Sequence, residues 1–147
     1  MLLNRDQGQR EPTRVLILCT GNSARSQMAE ALLRARSGHR FEVYSAGVAP
    51  KGVHPLAVQV MAEMGIDISQ ARSKGVAEFL GQPMDYVITV CDNANETCPV
   101  FPGAVTRLHH SFEDPAAVTG DEAARLAVFR RVRDELDEWL QDFASHQ

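Results

Sequence analysis

Val15-Leu16-Ile17-Leu18 is an unbroken apolar run that ends at once in Cys19-Thr20-Gly21-Asn22-Ser23-Ala24-Arg25, and Met28, Ala29, Leu32 and Leu33 then recur at helical spacing. A short apolar run with β-branched members suits a strand buried on both faces, as in a parallel sheet. Ser23 is the expected cap of the helix that follows, which ends at Ser37-Gly38. Phe41 to Ala46 alternates as a second strand closed by Gly47, and Leu56, Val60, Met61 and Met64 form the apolar stripe of a helix that stops at Gly65. A shorter helix from about Ser73 to Leu80 precedes Tyr86-Val87-Ile88-Thr89-Val90, the clearest strand of the chain. Asp92 to Gly103, rich in Asn, Thr and Pro, reads as an irregular loop, and Thr106-Arg107-Leu108-His109 as a fourth strand. Thr119-x-x-Glu122 looks like a capping box for a long last helix with Leu126, Phe129, Val132, Leu136, Trp139, Leu140 and Phe143 on one face. Strands alternating with helices predict an α/β three-layer sandwich with a parallel sheet of about four strands.

The chain has 147 residues, enough for one core, so residues 14–147 are expected to form a single domain. Residues 1–13, polar and aperiodic, read as a loosely attached N-terminal extension. No apolar stretch is long enough to span a membrane, and the start lacks the apolar segment of a secretory signal. The net charge of -4 offers no general attraction to nucleic acid or anionic membrane, so any anion must be bound locally. Three cysteines, Cys19, Cys91 and Cys98, are too few for a disulfide framework and fit a reducing, cytoplasmic setting.

In parallel α/β folds ligands bind at the carboxyl ends of strands, where Cys19 and Cys91 both fall. The C-x5-R segment from Cys19 to Arg25 joins a buried strand to a helix start. There the backbone N–H groups of Thr20, Gly21, Asn22, Ser23, Ala24 and Arg25 can converge on one centre, and the helix dipole adds positive charge. Gly21 permits close backbone approach, Asn22 tolerates a left-handed conformation, and the Arg25 fork can hold two oxygens of a tetrahedral oxyanion. The same dipoles, with Arg25 and the Ser26 hydroxyl, favour a thiolate on Cys19, which is the expected nucleophile.

The segment VLILCTGNSARSQMAE, Val15 to Glu30, resembles the low-molecular-weight protein tyrosine phosphatase superfamily, and the resemblance extends over nearly all of the chain after residue 13. Ser45-Ala46-Gly47 after the second strand and Glu113-Asp114-Pro115 before the last helix match the family too, which implies Asp114 as general acid. Within the superfamily the likeness is closer to the arsenate reductases. Gln27 stands where the phosphatases usually have Pro, and Ala116 where tyrosine-specific members usually have an aromatic residue. VITVCDNANETCPVFP, Val87 to Pro102, resembles the redox loop of the thiol-coupled arsenate reductases.

The resemblance implies reduction of arsenate to arsenite by a relay of Cys19, Cys91 and Cys98, in the service of arsenic detoxification. Thioredoxin would reduce the final disulfide, the alternative reductant being glutathione with glutaredoxin, which some relatives use, and phosphate or sulfate would mimic the substrate. The alternative is a low-molecular-weight phosphatase that hydrolyses phosphomonoesters through a phosphocysteine, an activity also expected weakly of the reductase. A non-catalytic anion-binding or redox-sensing module would not need Asp114. No tightly bound cofactor is expected, but some arsenate reductases of this type bind potassium near the loop, and the corresponding positions are Asn22, Glu30, Ser45 and Asp67. Ala24 replaces an additional cysteine of several relatives and takes no thiol from the relay. His109 and His110, adjacent on a strand, point to opposite faces and suit packing and solvent better than a metal. A monomer is expected.

Overall fold

A computed structural model of the chain describes residues 11–101 and 103–147. Residues 1–10 of the expected extension lie outside the described residues; Glu11 and Pro12 are irregular, and Thr13 already belongs to the first strand. In chain order the elements are β1 (Thr13–Cys19), α1 (Arg25–Ser37), β2 (Phe41–Gly47), α2 (Pro55–Ala62), β3 (Tyr86–Thr89), α3 (Asp92–Thr97), β4 (Thr106–His109) and α4 (Glu122–Ser145), with short 3-10 turns at Gly38–Arg40, Val76–Phe79 and Pro115–Ala117. The four strands form one sheet in the order β2-β1-β3-β4, every neighbouring pair parallel.

Val15, Leu16, Ile17 and Leu18 have no exposed surface. Successive strand residues point to opposite faces, so both faces of β1 are covered and the architecture is three-layered. Helix α1 buries Met28, Ala29, Leu32 and Leu33 and packs on α4, whose Leu126, Phe129, Val132, Leu136, Leu140 and Phe143 are buried; Trp139 is only partly covered and stacks on Phe143. Arg36 of α1 donates from Nε to Asp137 Oδ1 of α4 at 2.9 Å, and that bond holds the Asp137 carboxyl below the usual carboxylate range against the opposing effect of burial. Helix α2 buries Leu56, Ala57, Val60 and Met61 and packs on α4, while α3 lies against β1 and β3.

Four local expectations are corrected. Ala24, not Ser23, precedes α1, with no side-chain cap, because the Ser23 carbonyl is drawn to the His54 N–H and the chain enters the helix one residue later. Asp121 caps α4 through Ala124 N at 2.8 Å in place of Thr119, its carboxylate standing directly before the first turn. The helix expected over Ser73–Leu80 shrinks to the 3-10 turn Val76–Phe79, since Gly47 N binds Lys74 O and Gly47 bridges Gly75, which keeps that stretch extended. The expected loop after Cys91 begins with helix α3, started by the Cys91 sulfur, which accepts from Ala94 N at 3.4 Å.

From β1 the chain passes outward to β2, then returns across β1 to build β3 and β4 on its other side. The carboxyl end of β1 is therefore the point where the winding reverses, and a crevice opens there. Cys19 is the last residue of that strand.

Candidate active site

The loop after Cys19 has its carbonyls turned outward by a second segment. Val48, Ala49, Lys51 and His54 donate their backbone N–H groups to the carbonyls of Cys19, Thr20, Gly21 and Ser23, at 3.2, 2.8, 3.0 and 2.9 Å. The N–H groups from Gly21 to Ser26 meet no protein acceptor among the described residues, and they cluster at the start of α1. Such a cluster suits an anion. Gly47 permits the packing: a Cβ there would lie 2.6 Å from Thr20 O and 2.7 Å from Asn22 N.

Asn22, fully buried, takes a left-handed conformation with φ 46°. Its Nδ2 donates to Ser26 Oγ at 2.7 Å and Ser45 Oγ at 2.9 Å, and its Oδ1 accepts from Gln27 Nε2 at 2.9 Å and Lys74 N at 2.8 Å. Ser26 Oγ, already accepting from Asn22, has its own proton left for Cys19 Sγ, 2.8 Å away. Cys19 and Arg25 share with Gly21, Lys51, Asp114 and Ala116 the wall of a cavity of about 140 Å³. Arg25 donates to Phe112 O at 3.2 Å and stands 3.6 Å from Asp114 Oδ2, while Asp114 Oδ1 accepts from Ala116 N at 3.0 Å. One carboxyl oxygen is thus held by the turn and the other faces the guanidinium.

Thr20 and Ser23 also line this cavity, with Ala24. Cys91, buried beside it, has Sγ 3.3 Å from Thr20 Oγ1, and Val90 N binds Leu18 O of the adjacent strand. Cys98 lies outside the cavity, at the far end of α3, half-buried. Burial pushes its thiol up, with Arg107 opposing. Seven residues of helical rise put the Cys91 and Cys98 backbones ~10 Å apart, beyond the ~7 Å Cα limit of a disulfide.

The expected potassium ligands come together only in part. Asn22 turns its amide nitrogen to Ser45, and Ser45 donates to Glu30. Glu30 is already met by two cations, Arg34 Nη2 at 2.8 Å and Lys74 Nζ at 3.6 Å. Asp67 is exposed, with Oδ1 held by Ser69 N; it shares only a surface cleft with Glu30. These residues do not fit a potassium ion in this arrangement, since the donors aim at one another and protein cations take the carboxylate. Among the described residues no group of three or more His, Cys, Asp or Glu could hold a metal ion. His109 is tied to Thr89 Oγ1 at 2.8 Å and Asp92 Oδ1 at 3.0 Å, whereas His110 is exposed and lies tilted against Phe112.

Three contributors escaped the sequence reading of the site. Gln27 was legible as a departure from proline, but not as the buried donor that joins Asn22 to Arg72 O, at 3.0 Å. Lys74 and Lys51 reach the site from distant loops and carried no motif.

A buried thiol in an anion-binding loop, faced by an arginine and a carboxyl at the switch point of a parallel sheet, defines a cysteine-dependent oxyanion site of the phosphatase type. Residues 14–147 match the family described as low molecular weight phosphotyrosine protein phosphatase, and the chain belongs to that family. It is 45% identical to an arsenate reductase of Halalkalibacterium halodurans and 44% identical to one of Bacillus subtilis, each over 130 residues that make up 88% of this chain and 94% of the relative. Among solved structures it is similar to an arsenate reductase in the oxidised state, at TM-score 0.78 and 30% identity over 91% of this chain and 98% of the other. A thioredoxin-dependent arsenate reductase of Corynebacterium glutamicum aligns at TM-score 0.68 and 28% identity, over 97% of this chain and 67% of that one. No helix among the described residues is long and apolar enough to cross a membrane.

Proposed function

We propose that the protein reduces arsenate to arsenite through three thiols in turn, with a thioredoxin-class dithiol as the final reductant. The observation that carries this reading is the placing of Cys91 at the lip of the Cys19 loop, with Cys98 at the other end of the helix that Cys91 begins. A phosphatase needs only the first thiol. The similarity to arsenate reductases at 45% identity supports the choice of substrate, and the thioredoxin-dependent relative supports the reductant.

The Cys19 thiolate, stabilised by the Ser26 hydroxyl, attacks arsenic while the loop amides and Arg25 hold the other oxygens. Asp114 gives its proton to the hydroxyl oxygen of hydrogen arsenate, whose bond to arsenic breaks as it leaves as water while the Cys19–arsenic bond forms. Cys91 attacks Cys19 Sγ; the sulfur–arsenic bond breaks with its electron pair going to arsenic, and arsenite leaves behind a Cys19–Cys91 disulfide. Cys98 thiolate then attacks Cys91 Sγ and releases Cys19 as thiolate. The ~10 Å helical separation requires α3 to uncoil at this step, which also carries the new disulfide outward to the reductant. A reducing cytoplasm would keep the three thiols free and supply that partner.

The same loop, Arg25 and Asp114 would hydrolyse aryl phosphates slowly through a phosphocysteine, without Cys91 or Cys98. The test follows NADPH consumption with arsenate, thioredoxin and thioredoxin reductase, beside hydrolysis of an aryl phosphate. Continuous arsenate-dependent turnover is expected, with Cys98→Ser stopping after about one cycle and keeping its phosphatase rate. Normal cycling of Cys98→Ser with thioredoxin would overturn the relay, and aryl phosphate hydrolysis without arsenate turnover would favour the phosphatase.

A further inference from the structure

We infer that Lys51 is the second cation of the oxyanion site and gives it a preference for doubly charged tetrahedral anions; this rests on the cavity at Cys19 being the site that holds the substrate. The loop is shaped around this side chain. A Cβ at Gly21 would fall 2.8 Å from Lys51 Cε and 3.1 Å from Cγ, so the lysine stem lies on the bare glycine, and Lys51 N binds Gly21 O at 3.0 Å. Glycine at this position thus makes room for a lysine as well as for an anion.

The formal charges on the cavity wall are those of Arg25, Lys51 and Asp114. Arg25 has the Asp114 carboxyl beside it, 3.6 Å away. Lys51 makes no ion pair among the described residues, which leaves it as the wall cation with no carboxyl partner. Burial lowers the pKa of nearby His54, Arg125 and Lys51 add to that, and Asp114 opposes them. His54 accepts the Leu56 N–H through Nδ1 at 3.0 Å, the bond of an uncharged ring. A single cation attracts a dianion about twice as strongly as a monoanion at the same place. Lys51 therefore works on charge, where the loop amides and Arg25 work on tetrahedral shape.

Sulfate and perchlorate separate the two, being tetrahedral with charges of two and one. Each is titrated against the rate at which iodoacetamide alkylates Cys19 in the full chain, read by mass spectrometry of the Cys19 peptide, with chloride keeping ionic strength constant. Lys51→Met keeps the stem over Gly21 and removes the charge. It should weaken sulfate protection about tenfold and perchlorate protection only about threefold, and Lys51→Arg should restore sulfate to within about threefold. Unchanged sulfate protection in Lys51→Met, or an equal loss for both anions, would overturn the inference; a shared fall in thermal stability of both variants would assign the lysine a structural role instead. Selective loss of sulfate in a protein that does not turn over arsenate would leave the role of Lys51 standing and remove only the proposed reaction.

Discussion

Asn22 shows how much of the site hangs on one side chain. Left-handed backbone at a residue with a Cβ costs ~1–2 kcal/mol, and four hydrogen bonds from its amide offset that cost. Asn22→Ala removes the bonds and keeps the strain; Asn22→Gly removes both. Both variants should alkylate Cys19 at least fivefold more slowly at neutral pH, because Ser26 is no longer turned towards the thiolate. The alanine variant should be less stable than the glycine variant by about 1 kcal/mol in urea. Equal stability of the two would deny the strain, and unchanged alkylation would deny the orientation of Ser26. The loop from Cys19 to Arg25 was readable because its residues are contiguous and each has a local reason to be there. Lys51, Lys74 and Gln27 act through contacts with segments up to 52 positions apart in the chain, which no local pattern reveals.

Helix α3 is the element whose order the proposed chemistry must undo. His109 Nε2 holds Asp92 at its start, and Arg107 Nη2 reaches Asn95 O at 3.4 Å in its middle, so β4 restrains it by two side chains. His109→Ala should speed formation of the Cys91–Cys98 disulfide about fivefold, the effect of one hydrogen bond of ~1 kcal/mol. Rapid quenching with an alkylating agent, followed by mass spectrometry, measures that rate after a single arsenate addition. Since burial raises the Cys98 thiol above its ordinary range, less of it is thiolate at neutral pH, and the same step should accelerate as pH rises. No effect of His109→Ala would mean that α3 does not limit transfer, and a pH-independent step would mean that ionisation of Cys98 does not. Asp92, Asn93, Asn95 and Thr97 are weak helix formers, and their loop-like composition hid the helix. The sulfur cap and the tether to β4 that offset this weakness are tertiary, and so were invisible in the sequence.

At the scale of the whole molecule, the order β2-β1-β3-β4 places Cys19 where the winding reverses and Cys91 on the neighbouring strand's exit. The four strands and the long last helix were legible because buried strands and amphipathic helices have different apolar periods. Helix starts were less so, since Asp121 and Thr119, or Ala24 and Ser23, differ by chain path more than by local preference. The central claim is that three thiols divide one reaction: Cys19 takes the oxyanion, Cys91 releases arsenite, and Cys98 carries the oxidised bond away. Mass spectrometry of the alkylated protein after one arsenate turnover without reductant tests it most directly. The account predicts peptides of Cys91 and Cys98 joined by a disulfide with Cys19 alkylated; a disulfide that retains Cys19, or three alkylated cysteines after arsenite has formed, would contradict it.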